Sequence, residues 1–158
     1  MHRKDKEITD KKLIEEILTK SEICRVAIFD NEFPYIVPFN YGYKDNTLYF
    51  HSATSGKKID LLKKNSKVCF EITSSSEVIK GKETCDWTTK YRSVIGYGFI
   101  EIVSDEIGKK KGMDAIMVHY GRSENNVYHP KHYDNMLILK LSIQSLTGKQ
   151  SGDWNDID

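Results

Sequence analysis

The sequence is poor in cysteine, has no excess of either charge and contains no long apolar run, and each shortage removes a class of protein. Its three cysteines, Cys24, Cys69 and Cys85, are odd in number and widely spaced, which fits neither a disulfide framework nor a Cys-x-x-Cys zinc site. They read as reduced thiols. Lys and Arg number 24 against 23 Asp and Glu, a formal net charge of +1, whereas partners of nucleic acids and anionic membranes usually carry a global or segregated basic excess. No stretch approaches the ~20 consecutive apolar residues that span a bilayer. The opening Met1-His2-Arg3-Lys4-Asp5-Lys6-Glu7 lacks the apolar run of a signal peptide. A cytoplasmic protein without a nucleic-acid or membrane partner is expected. No internal repeat is visible.

What is present is material for one ordered domain. Charged residues at 30% and aromatics at 11% are too rich in ordering groups for a disordered chain, and a chain of 158 residues can bury roughly 68–70% of its unfolded surface without a disulfide or metal. Leu13, Ile14, Ile17 and Leu18 share one face behind a capping Thr9 or Asp10, the pattern of an amphipathic helix. The period then changes to two. Cys24 to Phe29, Tyr35 to Tyr43 and Thr47 to His51 read as three strands joined by the polar turns Asp30-Asn31-Glu32 and Lys44-Asp45-Asn46, an antiparallel meander. Pro38 cannot donate to a ladder and so predicts an edge or a bulge. Gly56 to Asn65 returns to helical spacing, Lys67 to Ile72 is a fourth strand, and Thr73 to Glu83 reads as a long solvated loop. Tyr91 to Val103 is a fifth strand, with Gly96 and Gly98 allowing a bend or close approach. A helix from Ser104-Asp105-Glu106 to about Tyr120 carries Met113, Ile116 and Met117 inward, Met136 to Ile143 is the last strand, and residues 150–158 form a polar tail. About six sequential strands and two or three helices, without βαβ alternation, predict a mainly β, antiparallel barrel, closed or split, with helices outside.

The chemistry concentrates in Tyr49-Phe50-His51-Ser52-Ala53-Thr54-Ser55-Gly56-Lys57-Lys58-Ile59-Asp60. A strand runs into a turn of small hydroxylated residues and a helix that opens with two lysines. Free N–H groups at the helix start, the hydroxyls of Ser52, Thr54 and Ser55, and the Lys57 ammonium suit an anion; an ordinary strand-to-helix turn with solvated lysines has the same pattern. The order is not that of a Walker loop. His51 is the candidate for proton donation, since an imidazole titrates near pH ~6.5, or for a simple hydrogen bond to a ligand. His119, His129 and His132 have no third partner at metal-ligand spacing, and no metal is expected.

This run resembles the phosphate-binding segment of the FMN-binding split-barrel superfamily related to pyridoxamine 5′-phosphate oxidase, in particular its nitroimidazole-resistance branch. Tyr35-Ile36-Val37-Pro38-Phe39-Asn40-Tyr41-Gly42-Tyr43 is similar to the branch's strand along the isoalloxazine. The run from Cys85-Asp86-Trp87 to Gly96 is similar to its loop and strand across the flavin, and Ser145-Leu146-Thr147-Gly148-Lys149 to its C-terminal signature. The resemblance implies a split β-barrel of one domain over residues 1–158 that binds FMN. FAD, haem or deazaflavin are the alternative cofactors. It implies that Lys57, Ser52 and Ser55 hold the phosphate with Lys58 beside them, that Val37, Pro38, Phe39 and Asn40 face the ring, and that Ser93 and Val94 lie close to it. Trp87 belongs to the matched run, and Trp154 lies in the tail. It further implies a homodimer with the flavin at the subunit interface and reduction of a small nitroaromatic acceptor; a flavin-binding redox sensor without turnover is the alternative. The acidic tail Asp153-Trp154-Asn155-Asp156-Ile157-Asp158 does not suit the phosphorylated substrate of pyridoxamine-phosphate oxidation.

Overall fold

The computed structural model describes residues 3–123 and 126–154, the side chain of His132 excepted. In chain order its elements are β1 (Glu7–Ile8), α1 (Lys11–Lys20), β2 (Ile23–Ile28), β3 (Tyr35–Asn40), β4 (Gly42–Lys44), β5 (Thr47–Ala53), α2 (Lys57–Lys64), β6 (Lys67–Ile79), β7 (Thr88–Val103), α3 (Glu106–His119), the short α4 (Pro130–Asp134) and β8 (Met136–Ser151). Local chemistry sets several boundaries. Asp10 caps α1 by accepting from the Lys12 N–H at 2.8 Å, and Asp105 caps α3 by accepting from the Gly108 N–H at 2.8 Å. The turn between β4 and β5 is made by Asp45 and Asn46, both at positive φ (51° and 56°), the geometry that a two-residue hairpin needs to match strand twist.

The strands form one antiparallel sheet in the order β3-β2-β6-β7-β8-β5-β4, with β1 paired to β8. Its two ends, β3 and β4, are consecutive in the chain and are joined at Tyr41. The sheet therefore curls until its ends meet, and the closure is made by the chain itself. This is a split barrel. The expected meander is divided by it: β3 pairs with β2, whereas β4 pairs with β5, so the single strand expected over 35–43 is two strands in different parts of the sheet.

The barrel is filled by the inward-facing positions of the long strands, among them Val26, Phe39, Phe50, Phe70, Ile72, Val94, Leu139 and Leu141, and by Ile17 and Leu18 of α1 and Ile59 and Leu62 of α2. A Cβ on Gly96 would stand 2.3 Å from the Phe70 ring, so the glycine foreseen as a close-approach point leaves that ring its space. A second, smaller cluster of Tyr49, Val103, Ala115, Ile116 and Ile138 lies where α3 packs on the outside of β4, β5 and β8. A Cβ on Gly42 would come within 2.4 Å of the Ala115 backbone, so this docking requires glycine.

Three further boundaries differ from the sequence reading. Residues 73–83 are largely strand: β6 runs on to Ile79, pairing with β7 from Thr88 upward after a register shift between Thr73 and Ser75. Both faces of this ribbon are wet, so no apolar alternation marks it. β8 continues past Ile143 to Ser151, held between β7 and β1, which places Gln150 and Ser151 of the expected tail in a strand; residues 155–158 lie outside the described residues. Among the described residues, eight strands stand where six were expected, because β1 is too short to show a period and the run over 35–43 is divided into β3 and β4. Among the described residues, no helix is long and apolar enough to cross a membrane.

Candidate functional site

The split in the barrel is a wedge between β3 and β5. The β4–β5 ladder sets Gly42 opposite Tyr49, Tyr43 opposite Leu48 and Lys44 opposite Thr47. Continued in that register it would set Asn40 opposite His51 and Pro38 opposite Ala53. Instead β3 swings away to β2, where Pro38 faces Arg25 and Val37 faces Val26. Beyond Tyr41 the two strands diverge with one edge each outside the ladder: among the described residues, β3 pairs with β2 alone, and residues 50–53 of β5 with β8 alone. Such edges carry backbone N–H and C=O groups that a ligand can meet. Pro38 lies in this edge strand, as its missing N–H requires.

Strand alternation divides the expected residues between two faces. Phe39 is buried, its ring 4.8 Å from that of Phe50, and Val37 packs against the same core. Their side chains turn inward, so their backbone is what remains for a ligand. Ser52 is also inward and buried, and its hydroxyl donates to the Ala53 carbonyl at 3.1 Å. Pro38, Asn40 and His51 are exposed on the outer face, with His51 in register with Ile138 of β8.

At the wide end of the wedge stands the N-terminus of α2. Its cap is Gly56 at φ 114°, with no side-chain cap. The first helical bonds run from the Ile59 and Asp60 N–H groups to the Gly56 carbonyl, so the Lys57 and Lys58 N–H groups have no acceptor within the helix. Ser55 is exposed beside them. The Lys58 ammonium lies 5.3 Å from the centre of the Phe39 ring, back over the wedge. Lys57 is engaged elsewhere: its Nζ is 2.8 Å from Asp30 Oδ2 and 4.8 Å from the centre of the Tyr35 ring. The hydrogen bond to Asp30 and the charge behind it hold the Lys57 pKa above its ordinary value, and the same bond holds the Asp30 carboxyl below its own. Lys57 also lines a shallow pocket of about 390 Å³ with Asp30, Glu32 and Tyr35. The ammonium chosen from the sequence as an anion ligand thus has a carboxylate on it. Asp30 sits in the β2–β3 turn, 27 positions before Lys57 in the chain, and nothing in the local sequence pairs them.

The inner end of the wedge is held by the end of α3. The Tyr120 hydroxyl accepts from Asn40 Nδ2 at 3.2 Å and from the Tyr41 N–H at 3.4 Å, and it donates to the Glu22 carbonyl. His119 Nε2 lies 2.6 Å from the Ser21 carbonyl, and its ring is 4.4 Å from that of Tyr41. Tyr41 in turn donates to the Leu18 carbonyl at 2.8 Å. The sequence reading missed Tyr120 because its contacts are 80 and 98 positions away.

Ser93 and Val94 are not at the wedge. They lie on β7, separated from β3 by β2 and β6; Val94 is buried in the core and Ser93 faces Thr73 and Lys149. Ser93 belongs to the outer face of the sheet β3-β2-β6-β7. In register on this face are Ile36, Ala27, Cys69 and Tyr97, and beside them Pro38, Arg25, Glu71 and Ile95. Ile36, Tyr97, Ile95 and Phe99 are 60%, 57%, 45% and 43% exposed, an apolar sheet face that α3 does not cover. Trp87 is exposed at the far end of the β6–β7 ribbon, with the Lys80 ammonium 5.8 Å from its ring centre. Trp154 lies against β7, 3.8 Å from Arg92 and 4.6 Å from Lys90.

The profile of the family described as Pyridoxamine 5'-phosphate oxidase matches residues 10–150 of this chain. Among solved structures, a protein of Bacteroides thetaiotaomicron assigned to 5-nitroimidazole antibiotic resistance is 32% identical, with a TM-score of 0.80 over 91% of this chain and 86% of that one. An FAD and heme binding protein of Mycobacterium smegmatis shares the fold at 22% identity, with a TM-score of 0.82 over 97% of this chain and 77% of that one. A flavocytochrome of Azotobacter vinelandii does so at 18% identity, with a TM-score of 0.77 over 93% and 70%. No curated protein matches.

Proposed function

Since the chain belongs to the pyridoxamine 5′-phosphate oxidase family, one of flavin-binding split barrels, we propose that it is an FMN-dependent reductase of small acceptors, nitroaromatic compounds among them, that works as a homodimer. The observation that carries this reading is the wedge: two open strand edges meet a helix N-terminus flanked by two lysines. The residues fit the cofactor by their chemistry. The free N–H groups of Lys57 and Lys58, the Ser55 hydroxyl and the two ammonium groups suit a phosphate. The open edge of β3 and the Asn40 amide offer the mixed donors and acceptors that the polar edge of an isoalloxazine requires. FMN, when bound, supplies the electron or hydride transfer.

The chain's own contribution is placement and proton handling. Pro38 and Asn40 would hold the ring at the outer face, and His51, exposed on the same face across the wedge, would supply an imidazole N–H to the acceptor as it is reduced. A second copy covers the apolar outer face, and its β7 brings Ser93 to a site that one chain leaves open. Likeness to a nitroimidazole-resistance protein at 32% identity supports the substrate class. The nature of the bound group is read by releasing it and measuring its mass: FMN is expected, and FAD, a deazaflavin or haem would correct the cofactor. Anaerobically reduced protein is then mixed with a 5-nitroimidazole. Reoxidation of the flavin is expected, with a two-electron reduction of the nitro group per flavin; the six-electron amine is expected only when added dithionite or a reduced nicotinamide regenerates the flavin for three such turns. Bound flavin that no small acceptor reoxidises would favour a redox-sensing module and overturn the enzyme.

A further inference from the structure

The Tyr120 hydroxyl occupies the place of the next rung of the β2–β3 ladder. The last pair is Ile23 opposite Asn40, so Glu22 and Tyr41 follow. Between them stands the hydroxyl, accepting from the Tyr41 N–H at 3.4 Å and donating to the Glu22 carbonyl. Its third partner is Asn40 Nδ2, at 3.2 Å. A phenolic hydroxyl has one proton to give and two lone pairs to offer, and all three are spent. The ring is held as well by its edge contact with His119, at 5.2 Å between ring centres, and His119 is itself tied to the Ser21 carbonyl at 2.6 Å. The Asn40 amide nitrogen is thereby committed on one side, which leaves Oδ1 as the acceptor outside this network in a side chain exposed on the outer face that it shares with His51.

We propose that Tyr120 is the positioning residue for Asn40: by taking the amide nitrogen it presents Oδ1 as an acceptor, so that the wedge selects a ligand with an N–H or O–H donor there. The inference rests on the flavin reading, in which that donor is the imide N–H of the isoalloxazine. Without the Tyr120 hydroxyl the amide is free to turn and offer its NH₂ group to a neighbouring carbonyl, and the preference relaxes.

The test measures binding of FMN and of N3-methyl-FMN, which lacks that donor, to the full chain by flavin fluorescence. The wild type should prefer FMN by about tenfold, the scale of one net hydrogen bond. Tyr120→Phe should bring the ratio to about threefold or less, Asn40→Leu to near one, and the double variant should match Asn40→Leu. A merely structural Tyr120 would weaken both flavins alike and keep the ratio, which overturns the proposal. So does an unchanged ratio in Asn40→Leu, the variant that decides if Tyr120→Phe does not fold. A wild type that binds both flavins equally also overturns it and leaves the flavin reading standing, whereas a wild type that binds neither overturns both.

Discussion

Lys57 shows how a charge count can conceal a local conflict. Its ammonium is shared with Asp30, at 2.8 Å, and a phosphate arriving at the α2 N-terminus must loosen that pair. Lys57 is exposed and Asp30 only partly buried, and ion pairs near the surface are weak and salt-sensitive, so the exchange is feasible and shallow. Asp30→Asn should therefore tighten FMN by about two- to fivefold, in keeping with the small worth of an exposed ion pair, and leave riboflavin, which has no phosphate, unchanged. Lys57→Ala should weaken FMN and spare riboflavin. Fluorescence titrations of both ligands check this, and equal shifts for the two flavins would remove Lys57 from the phosphate site. His51→Ala should keep the flavin and slow substrate reduction by about a hundredfold, the low end of the acid–base contribution; stopped-flow reoxidation measures it, and loss of flavin instead would give His51 a binding role. Lys57, Lys58, Ser55 and His51 could be grouped from the sequence because they are contiguous, whereas the inward turn of Ser52 follows from strand alternation in β5. Asp30 and Tyr120 could not be grouped with them, since their roles arise where distant segments meet.

At the scale of elements, the site depends on where pairing stops. The chain passes from β3 to β4 at Tyr41 and changes partner there, from β2 to β5. The sequence shows one β-rich run from 35 to 43 because both halves have the same composition, and only the tertiary partners divide it. Pro38 was the legible sign, since it marks an edge. The β6–β7 ribbon was illegible for the opposite reason: the serines and threonines of β6 have no buried face, and their strand conformation comes from β7 alone. The docking of α3 keeps the wedge in shape, and it tolerates no side chain at Gly42. Gly42→Ala should cost about 1–3 kcal/mol, the range for overpacking, and should weaken flavin binding by displacing Tyr120. Urea denaturation and flavin titration read the two effects, and a variant of wild-type stability would show that α3 shifts without strain.

For the whole molecule, the helices are unevenly distributed. α3 covers β4, β5 and β8, while the outer face of β3-β2-β6-β7 presents Ile36, Ile95, Tyr97 and Phe99 to solvent. Contiguous apolar surface of this kind marks an interaction site, and in the proposed dimer it meets its own copy. Tyr97→Glu should give a monomer with impaired flavin retention. Light scattering and the flavin spectrum, measured together, check this, and a dimer that keeps its flavin would move the interface elsewhere. The barrel itself was legible from the succession of antiparallel strands, whereas Ser93, implied by resemblance to lie near the flavin, is separated from the wedge by two strands in a single chain.

Whether the wedge between β3 and β5 holds a phosphate-bearing flavin is read from the absorption spectrum of the purified full chain, titrated with FMN. A yellow protein with one flavin per chain is expected, and Lys57→Ala should lose much of that colour. A folded wild-type protein that stays colourless and leaves FMN fluorescence unquenched would contradict a flavin in the wedge.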